Sequence, residues 1–594
     1  MNFLGSLLLR LWLNYTMSSK KKVLIITYYW PPAGGSGVQR WLKFVKYLRD
    51  FNIEPIVYTV DNPSYPILDK SLESEIPKDL EILKQPIFEP NSILSFFGNK
   101  KKKESAGFLN SNPTFFGKIV LFIRANYFIP DARKFWIKPS VKFLSNYLKN
   151  NEIDAMITTG PPHSMHVIGL ALKEKFEVKW ISDFRDPWTE IDYFQQLPLT
   201  KKAKKKHYQL EQEVLINSDM VVVVGETMKE KFLKHTKRIE VLTNGFDTIE
   251  TSLTQELDEK FSITHVGLMN SDRNPTILWE VLNEISNTNL NFKNDLRIKL
   301  IGKIDDTVIQ DIQVFNSENI VRIPYLNHEE VRKYQASSQI LLLSINRVPS
   351  AKGIITGKIF EYLQAKRPIL GIGPEDGDAA AILKKTNAGK IVGFDHKNEL
   401  KATILKLYKD FKEEKLVVKS INIEQYHRKN ITSQLAELAL KPFQYSVQEG
   451  GVSSEAPWGI CYEEYTASVP TLVLNGHIFA LFGLFDYQRV FPNDEDCNLL
   501  IKDGLASLKN SLPYYDMGYW TRYNYCEAEF YPDIDPATIC YHRLHIMLLK
   551  VMTRLDPDPI YAEYIEKWKS YIGPYNFLKV SFMKYNALKK LGRV

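Results

Sequence analysis

Three glycine-containing stretches of this chain carry side chains suited to gripping a phosphate or a sugar. The first is Gly34-Gly35-Ser36-Gly37, between an apolar run and a segment of helical period. Glycines such as Gly35 and Gly37 let backbone N–H groups approach a ligand closely, and the following helix points its positive end there. A plain tight turn would look the same. The second is GLMNSDRNP, from Gly267 to Pro275, where Arg273 can pair with a diphosphate. The third is TGKIFEYLQAKRPILG, residues 356–371. Thr356 and Gly357 open a helix, Lys358 offers a point charge, and Glu361 follows one turn on. A carboxylate there can accept both hydroxyls of a ribose, or it can be a solvated or capping helix residue.

A different chemistry gathers in the tail. From Lys441 onward the chain holds 16 of its 31 tyrosines and all four cysteines, Cys461, Cys497, Cys526 and Cys540. An acidic pair, Glu463 and Glu464, precedes Tyr465. Tyr541, Leu544, His545 and Leu548 share one face of an expected helix. The cysteines lack metal-ligand spacing, and a cytosolic chain keeps them reduced. No metal site is expected, and His542 and His545 do not form a zinc pair.

The elements that must position these residues follow from periodicity. KKVLIITYYW (21–30) is a buried strand, PPAGGSGVQ a loop, WLKFVKYLRDF a helix and IEPIVYTV a strand, which opens a doubly wound α/β domain. Further strands are expected at 155–160, 178–184 and 219–225, and 85–135 reads as an irregular insertion. A second alternating set starts near Phe261, with strands at FSITHVGL, LRIKLIG, QILLLSI and RPILGIG. Beyond 445 the pattern is helix after helix. The expected domains are a leader at 1–20, Rossmann-like domains at 21–245 and 246–440, and a helical domain at 441–594. Open parallel sheets bind ligands beyond the carboxyl ends of their strands, where all three glycine stretches fall.

The 594 residues suit several domains, and 44% hydrophobic with 25% charged residues is a globular composition. A net charge of +8 is mild. It is concentrated at Lys20–Lys22, Lys100–Lys103 and KKAKKK (201–206). Such clusters are solvated surface or a contact for an anionic membrane face. No base-stacking motif supports nucleic acid. The apolar start MNFLGSLLLRLWLNYT, broken by Arg10, fits neither a spanning helix nor a cleaved signal, and Met17 is an alternative start. The expected location is cytoplasmic, with the basic clusters offering peripheral attachment to the inner membrane face.

YYWPPAGGSGVQR, TTGPPHS, ISDFRDPW, VLTNGFD and TGKIFEYLQAKRPIL, in that order, resemble family 4 retaining glycosyltransferases of GT-B architecture over about 21–440. The resemblance implies a nucleoside diphosphate sugar as donor, with no permanently bound cofactor. It implies that Lys358 and Arg273 neutralise the leaving diphosphate and that Glu361 binds the ribose. His163 and Asp183, with Arg185 and Asp186, are acceptor-side candidates; a structural ion network is the rival reading of the last three. The family pattern has a second glutamate earlier, where this chain has Gly353.

WGICYEEYTASVPTLVLNGHIFALFGLFDY, SLKNSLPYYDMGYWTRYNY, ICYHRLHIMLL and YAEYIEKWKSYI resemble the C-terminal helical domain of D-glucuronyl C5-epimerase, over about 442–575. That resemblance implies inversion of C5 in glucuronate units of a polysaccharide. It places the catalytic tyrosines at Tyr465, Tyr523 and Tyr541, with Glu464 beside the first. Asn475 and Gly476 are expected to shape a helix-packing surface. The family's arginine shortly after the second tyrosine is replaced here by Asn524, Tyr525 and Cys526. The family's β-rich domain and first helices have no counterpart, so the α/α-toroid-like tail is partial. The whole implies a bifunctional enzyme of surface-polysaccharide assembly acting on a glycan or lipid-linked acceptor, or an active transferase with a non-catalytic glycan-binding tail.

Overall fold

The computed structural model describes residues 21–65, 67–89, 115–176, 178–247, 256–315, 317–324, 326–438, 441–449, 451–465 and 467–593. The leader 1–20 and the basic cluster Lys100–Lys103 lie outside these residues. The chain divides into two compact units between Gln434 and Leu435.

The first unit contains two parallel sheets. One has seven strands: β1 (Lys21–Ile26), β2 (Ile53–Val60), β3 (Glu81–Gln85), β4 (Ala155–Gly160), β5 (Lys179–Phe184), β6 (Met220–Val223) and β7 (Ile239–Val241). Their spatial order is β3-β2-β1-β4-β5-β6-β7. The other has six: β8 (Phe261–Val266), β9 (Leu296–Ile301), β10 (Ile320–Ile323), β11 (Ile340–Ser344), β12 (Ile369–Ile372) and β13 (Gly389–Val392). Their order is β10-β9-β8-β11-β12-β13. In both sheets the order reverses beside the first strand, the mark of a doubly wound domain. The central strands are apolar and buried end to end, as β8 and β11 show, because helices cover both faces of such a sheet.

These two lobes form the GT-B architecture expected from the sequence. They are pinned together by polar contacts. The Asp192 carboxylate accepts from Ser350 N (3.1 Å) and Ser350 Oγ (2.6 Å). Asp378 accepts from Thr227 N (3.2 Å) and Thr227 Oγ1 (2.9 Å).

Four helices matter for the sites of this unit: α1 (Ser36–Leu48), α2 (Phe115–Tyr127), α3 (Ser164–Lys173) and α4 (Lys358–Ala365). Helix α2 lies inside the stretch expected to be irregular. Its apolar residues leave Ile119, Phe122, Ile123 and Tyr127 exposed, so no amphipathic period marks it in the sequence.

The second unit is mainly helical, and it opens with a feature the helical reading missed. Strands β14 (Ser453–Ala456) and β15 (Gly459–Tyr462) form an antiparallel hairpin. Helices α5 (Leu474–Val490), α6 (Glu495–Tyr515), α7 (Ile539–Leu555), α8 (Pro559–Ser570) and α9 (Pro574–Lys590) follow. Their core includes Tyr462, Leu481, Leu508, Leu549, Tyr561 and Trp568. No helix among the described residues is long and apolar enough to cross a membrane.

Candidate functional site

In the first unit, the end of β8 and the start of α4 build a cationic corner. Gly267 leaves β8 with φ +99, a conformation side chains rarely adopt, and its bare Cα lets Lys358 lie against the strand end. A Cβ there would come within 2.7 Å of Lys358 Cε and 2.9 Å of Nζ. Lys358 is the first residue of α4, whose cap residue Gly357 provides no side-chain cap. The helix N-terminus therefore adds its own positive potential beside the ammonium. Thr356 Oγ1, one residue earlier, is buried without a hydrogen-bond partner among the described residues.

His265 underlies the lysine. Its Nδ1 is 3.2 Å from the Leu342 carbonyl, and burial, then Lys358, holds its pKa well below the usual histidine range. A carbonyl can only accept, so the neutral ring carries its proton on Nδ1 and presents a lone pair at Nε2. Lys358 Nζ stands 3.4 Å from that lone pair. Burial and the nearby Arg273 charge lower the lysine pKa to about 7, and Glu361 acts in the opposite direction. Arg273 is held by Nε donating to Asn346 Oδ1 (2.8 Å) and Nη1 donating to Leu268 O (3.2 Å). Glu361 Oε2 accepts from Gln335 Nε2 at 3.1 Å. The corner thus brings Gly267, Arg273, Thr356, Gly357, Lys358 and Glu361 into one neighbourhood. Gly353 offers no acid; the space beside it is bounded by Thr227 at 3.4 Å.

On the other lobe, Gly35 (φ +92) caps α1, again without a side-chain cap. Gly37 O accepts from Arg185 Nη1 at 2.8 Å, while Arg185 Nη2 donates to Pro161 O. The arginine ties the glycine loop to the GPPH loop. His163 caps α3, is buried, and stacks on Trp188 with centroids 4.9 Å apart and planes 2° from parallel. Burial and neighbouring His166 and Arg185 keep its pKa well below the usual value.

Asp183 requires a correction. It is fully buried, and its carboxylate receives Arg40 Nη2 (2.9 Å), Trp41 Nε1 (2.7 Å) and Thr159 Oγ1 (2.9 Å). Arg40 also donates to Leu242 O (2.9 Å) and Thr243 O (2.9 Å). With its oxygens spent on this network, Asp183 is a strut tying α1 to the strand ends, not a group facing an acceptor.

In the second unit, the acidic pair divides its labour. Glu463 is buried and closes its loop by accepting from Thr471 N (3.0 Å), Thr471 Oγ1 (2.8 Å) and Leu472 N (3.0 Å). Glu464, in the loop after β15, meets the start of α5, where Asn475 Nδ2 donates to its Oε2 at 3.1 Å. A Cβ at position 476 would meet Glu464 Cβ at 2.6 Å. Asn475 and Gly476 therefore seat Glu464 rather than shaping a helix-helix contact.

Beyond Glu464 the phenols converge. Tyr523 feels Tyr465, Glu464 and Tyr541 electrostatically. The Tyr523 and Tyr541 rings meet edge to face, centroids 4.8 Å apart. Burial, followed by Tyr465, Glu464 and Tyr541, pushes the Tyr523 pKa well above the usual phenol value. Tyr465 is 51% exposed, so solvent and a ligand can reach the cluster from its side. Tyr523 sits in an extended segment whose backbone N donates to Asp535 O (2.8 Å). Tyr541 lies in the first turn of α7, its N–H capped by Thr538 Oγ1 at 3.4 Å.

The histidines below are structural. His542 Nε2 lies 3.0 Å from Trp568 O, so that nitrogen bears the proton, and Thr521 Oγ1 donates to Nδ1 (2.9 Å). The hydroxyl then accepts from His545 Nδ1 (3.2 Å). Burial lowers these pKa values to about 4 and about 3. Arg522 is taken up by Asp533 O (3.0 Å) and the Tyr525 ring, and Arg543 is exposed. Among the described residues one trio, exposed Glu375 and His396 with half-buried Glu399, has ligand atoms within 4.8 Å of one another. It is already engaged: His396 Nδ1 lies 2.8 Å from Glu375, and Lys390 Nζ lies 2.5 Å from Glu399.

The structure therefore describes a two-lobed α/β unit with a cationic corner at strand ends, followed by a helical unit with a phenol-carboxylate cluster. Known proteins divide along the same line. Residues 430–570 match the family model described as D-glucuronyl C5-epimerase C-terminus. A D-glucuronyl C5-epimerase of Caenorhabditis elegans is 32% identical over 147 residues, covering 23% of this chain and 24% of that protein. An uncharacterized protein of Methanocaldococcus jannaschii is 30% identical over 141 residues, covering 23% of this chain and 42% of its own length. The chain thus spans about a quarter of the first relative and less than half of the second.

The first unit is similar in architecture to Anabaena HepE solved with UDP-glucose: 13% identity, TM-score 0.46, covering 71% of this chain and 99% of that one. WaaG, a glycosyltransferase involved in lipopolysaccharide biosynthesis, shows 13% identity and a TM-score of 0.39, covering 70% of this chain and 95% of that one. A UDP-N-acetylglucosamine 2-epimerase shows 13% identity and a TM-score of 0.41, covering 72% of this chain and 96% of that one. Likenesses this distant leave the chemistry to the residues. The arrangement expected from the sequence stands: a segment that matches the C5-epimerase C-terminal family model follows two doubly wound lobes.

Proposed function

We propose that the first unit transfers a sugar from a nucleoside diphosphate donor, with retention, to a glycan or lipid-linked acceptor in surface-polysaccharide synthesis. The observation that carries this reading is the convergence of Lys358, Arg273 and the uncapped α4 N-terminus at the end of β8. These are fixed positive groups where a departing diphosphate develops charge, the arrangement that stabilises such a leaving group most. Glu361, one turn into α4, takes the ribose hydroxyls. Gly35 and Gly37 line the opposing loop, and His163 stands on the acceptor side. The test is a thermal-shift screen of nucleotide sugars followed by transfer assays. Binding raises the melting temperature by mass action, and Lys358→Ala and Glu361→Ala lose transfer. Wild-type turnover in either variant refutes the assignment.

For the tail, the reading is C5 epimerisation of glucuronate to iduronate within a polysaccharide. The contiguity of Glu464, Tyr465, Tyr523 and Tyr541 supports it. One phenol in its anionic form takes the C5 proton, the electron pair spreads into the adjacent carboxylate, and a second phenol returns a proton to the opposite face. Incubation of the full chain with a glucuronate polymer in heavy water places deuterium at C5, and Tyr523→Phe and Tyr541→Phe abolish it. Because the chain spans 24% of its epimerase relative, a glycan-binding tail is the second reading. Retained polymer binding with no deuterium uptake selects it.

A further inference from the structure

We propose that Lys584, on helix α9, is a positioning residue that fixes the Tyr523 ring and supplies the positive charge facing it. The proposal rests on the epimerase reading of the phenol cluster and adds a member from outside the segment that matches the family model, which ends at residue 570.

Helix α9 packs along the loop that carries Tyr523. Phe577 meets the buried Trp520 ring edge to face at 5.7 Å. Lys579 Nζ stands 3.5 Å above the Tyr519 ring, and Tyr519 OH lies 2.8 Å from Met583 Sδ. One residue further, Lys584 Nζ reaches the Asp535 carboxylate at 2.5 Å and the face of the Tyr523 ring at 5.3 Å from its centroid. Both partners are shielded, the lysine side chain 18% and the aspartate side chain 4% exposed. Asp535 also holds Tyr523 through the backbone, its carbonyl accepting from Tyr523 N at 2.8 Å. Its second oxygen accepts from Tyr531 OH at 3.2 Å, and that hydroxyl accepts from Asn524 Nδ2 at 2.8 Å. The ring is thus fixed from its own backbone, from the aspartate beside it and from the ammonium over its face.

The charge matters as much as the position. The groups around the Tyr523 phenol are Tyr465, Tyr541 and the Glu464 carboxylate, each of which disfavours a phenolate. The buried Asp535 adds a further negative charge nearby. Among the described residues, Lys584 is the cation seated over this ring. Arg522 lies over Tyr525 instead and donates to Asp533 O. Proton abstraction beside a carboxylate puts negative charge on the phenol before transfer and on the substrate afterwards. A cation over the ring face stabilises both states.

The test uses the full chain labelled with 13Cζ-tyrosine, the Tyr523 resonance being assigned by its loss in Tyr523→Phe. Alkaline titration reads that phenol directly and does not depend on turnover. Lys584→Met alone strands the buried Asp535 carboxylate, so Lys584→Met/Asp535→Asn is made with it, and Asp535→Asn alone is the control. The expected result is that the double variant titrates about one pH unit higher than Asp535→Asn, while Lys584→Arg stays near wild type. C5 deuterium uptake in the double variant falls at neutral pH and recovers toward alkaline pH. An unchanged Tyr523 midpoint in the double variant overturns the proposal whatever the exchange assay shows. A shifted midpoint in a protein without C5 exchange upholds the charge role and refutes the epimerase reading on which its function depends.

Discussion

Replacing Lys358 by methionine separates the two things this lysine does. Burial and the Arg273 charge drive its pKa down to about 7, against about 10.4 for a free lysine. Below pH 7 folded and unfolded chains both carry the proton, and the full cost of seating an ammonium there is present. Between pH 7 and about 10.4 only the unfolded chain binds it, so stability rises with pH across that window. At about 1.4 kcal/mol per pH unit, the limiting cost is about 5 kcal/mol. Solvent screening at this partly exposed side chain reduces it to a few kcal/mol. A unit of this size loses roughly 1 kcal/mol per degree near its midpoint. Lys358→Met should therefore raise the ligand-free melting temperature by about 2–4 °C at pH 6 and progressively less toward pH 10. The same change should abolish donor binding.

In wild type, binding of a nucleoside diphosphate should take up a proton above pH 7. Affinity should be flat below pH 7 and fall by up to about tenfold per pH unit above it. Differential scanning fluorimetry across pH reads the first effect, and calorimetry in buffers of different ionisation enthalpy reads the second. A lower ligand-free melting temperature for Lys358→Met at pH 6, or donor affinity unchanged from pH 6.5 to 8.5, would refute the electrostatic reasoning.

Gly267→Ala should lose donor binding and about 1–3 kcal/mol of stability, because it strains φ +99 and displaces the lysine; urea unfolding and thermal shift with a nucleotide sugar measure both. Asp183→Asn should cost about 3–5 kcal/mol by leaving the buried Arg40 unpaired, visible as a lower urea midpoint, with any loss of transfer following unfolding. Gly476→Ala should displace Glu464, whose Cβ would lie 2.6 Å from the new methyl. C5 exchange is expected to fall at least tenfold while circular dichroism stays native.

The central strands of both lobes were legible because buried β-branched runs between breakers have few other readings. The edge strands were not. Glu81–Gln85 and Ile320–Ile323 are only partly buried, and their sequences mix charges with apolar residues. The hairpin before Glu463 was hidden by four-residue strands, too short for an alternation to register. Helix α9 falls inside the stretch expected to be helical, but its packed face was not legible, because Tyr575, Leu578, Phe582 and Tyr585 form an exposed stripe opposite it and neither face reads as polar. At the sites, the positions of Lys358, Glu361, Tyr465, Tyr523 and Tyr541 could be named from local motifs. Glu464 could be named with them from the motif, but the separate task of Glu463, closing its loop on Thr471 and Leu472, could not, since it depends on backbone groups eight and nine residues on. Lys584 had no local signal at all: its partner Asp535 lies 49 residues away.

The two sites set opposite electrostatic problems and solve them by one device. At the β8 corner, Lys358 and Arg273 crowd together over a neutral histidine, and the pair relieves its repulsion by letting the lysine approach neutrality. A dianionic ligand would reverse that, restoring the proton and with it the attraction that the proposed transfer needs to hold a departing diphosphate. At the phenol cluster, Glu464, Tyr465 and Tyr541 crowd the Tyr523 hydroxyl and hold it protonated, while the Lys584 ammonium offers partial compensation through the ring face. In each case the resting site is held away from its reactive charge state by burial and like charge. The group that would reverse this is the ligand itself at the corner and an approaching uronate, with the Lys584 cation already seated, at the cluster. Removing the Lys358 charge should therefore stabilise the resting fold while it abolishes chemistry, the signature that distinguishes a functional cluster from a packing one.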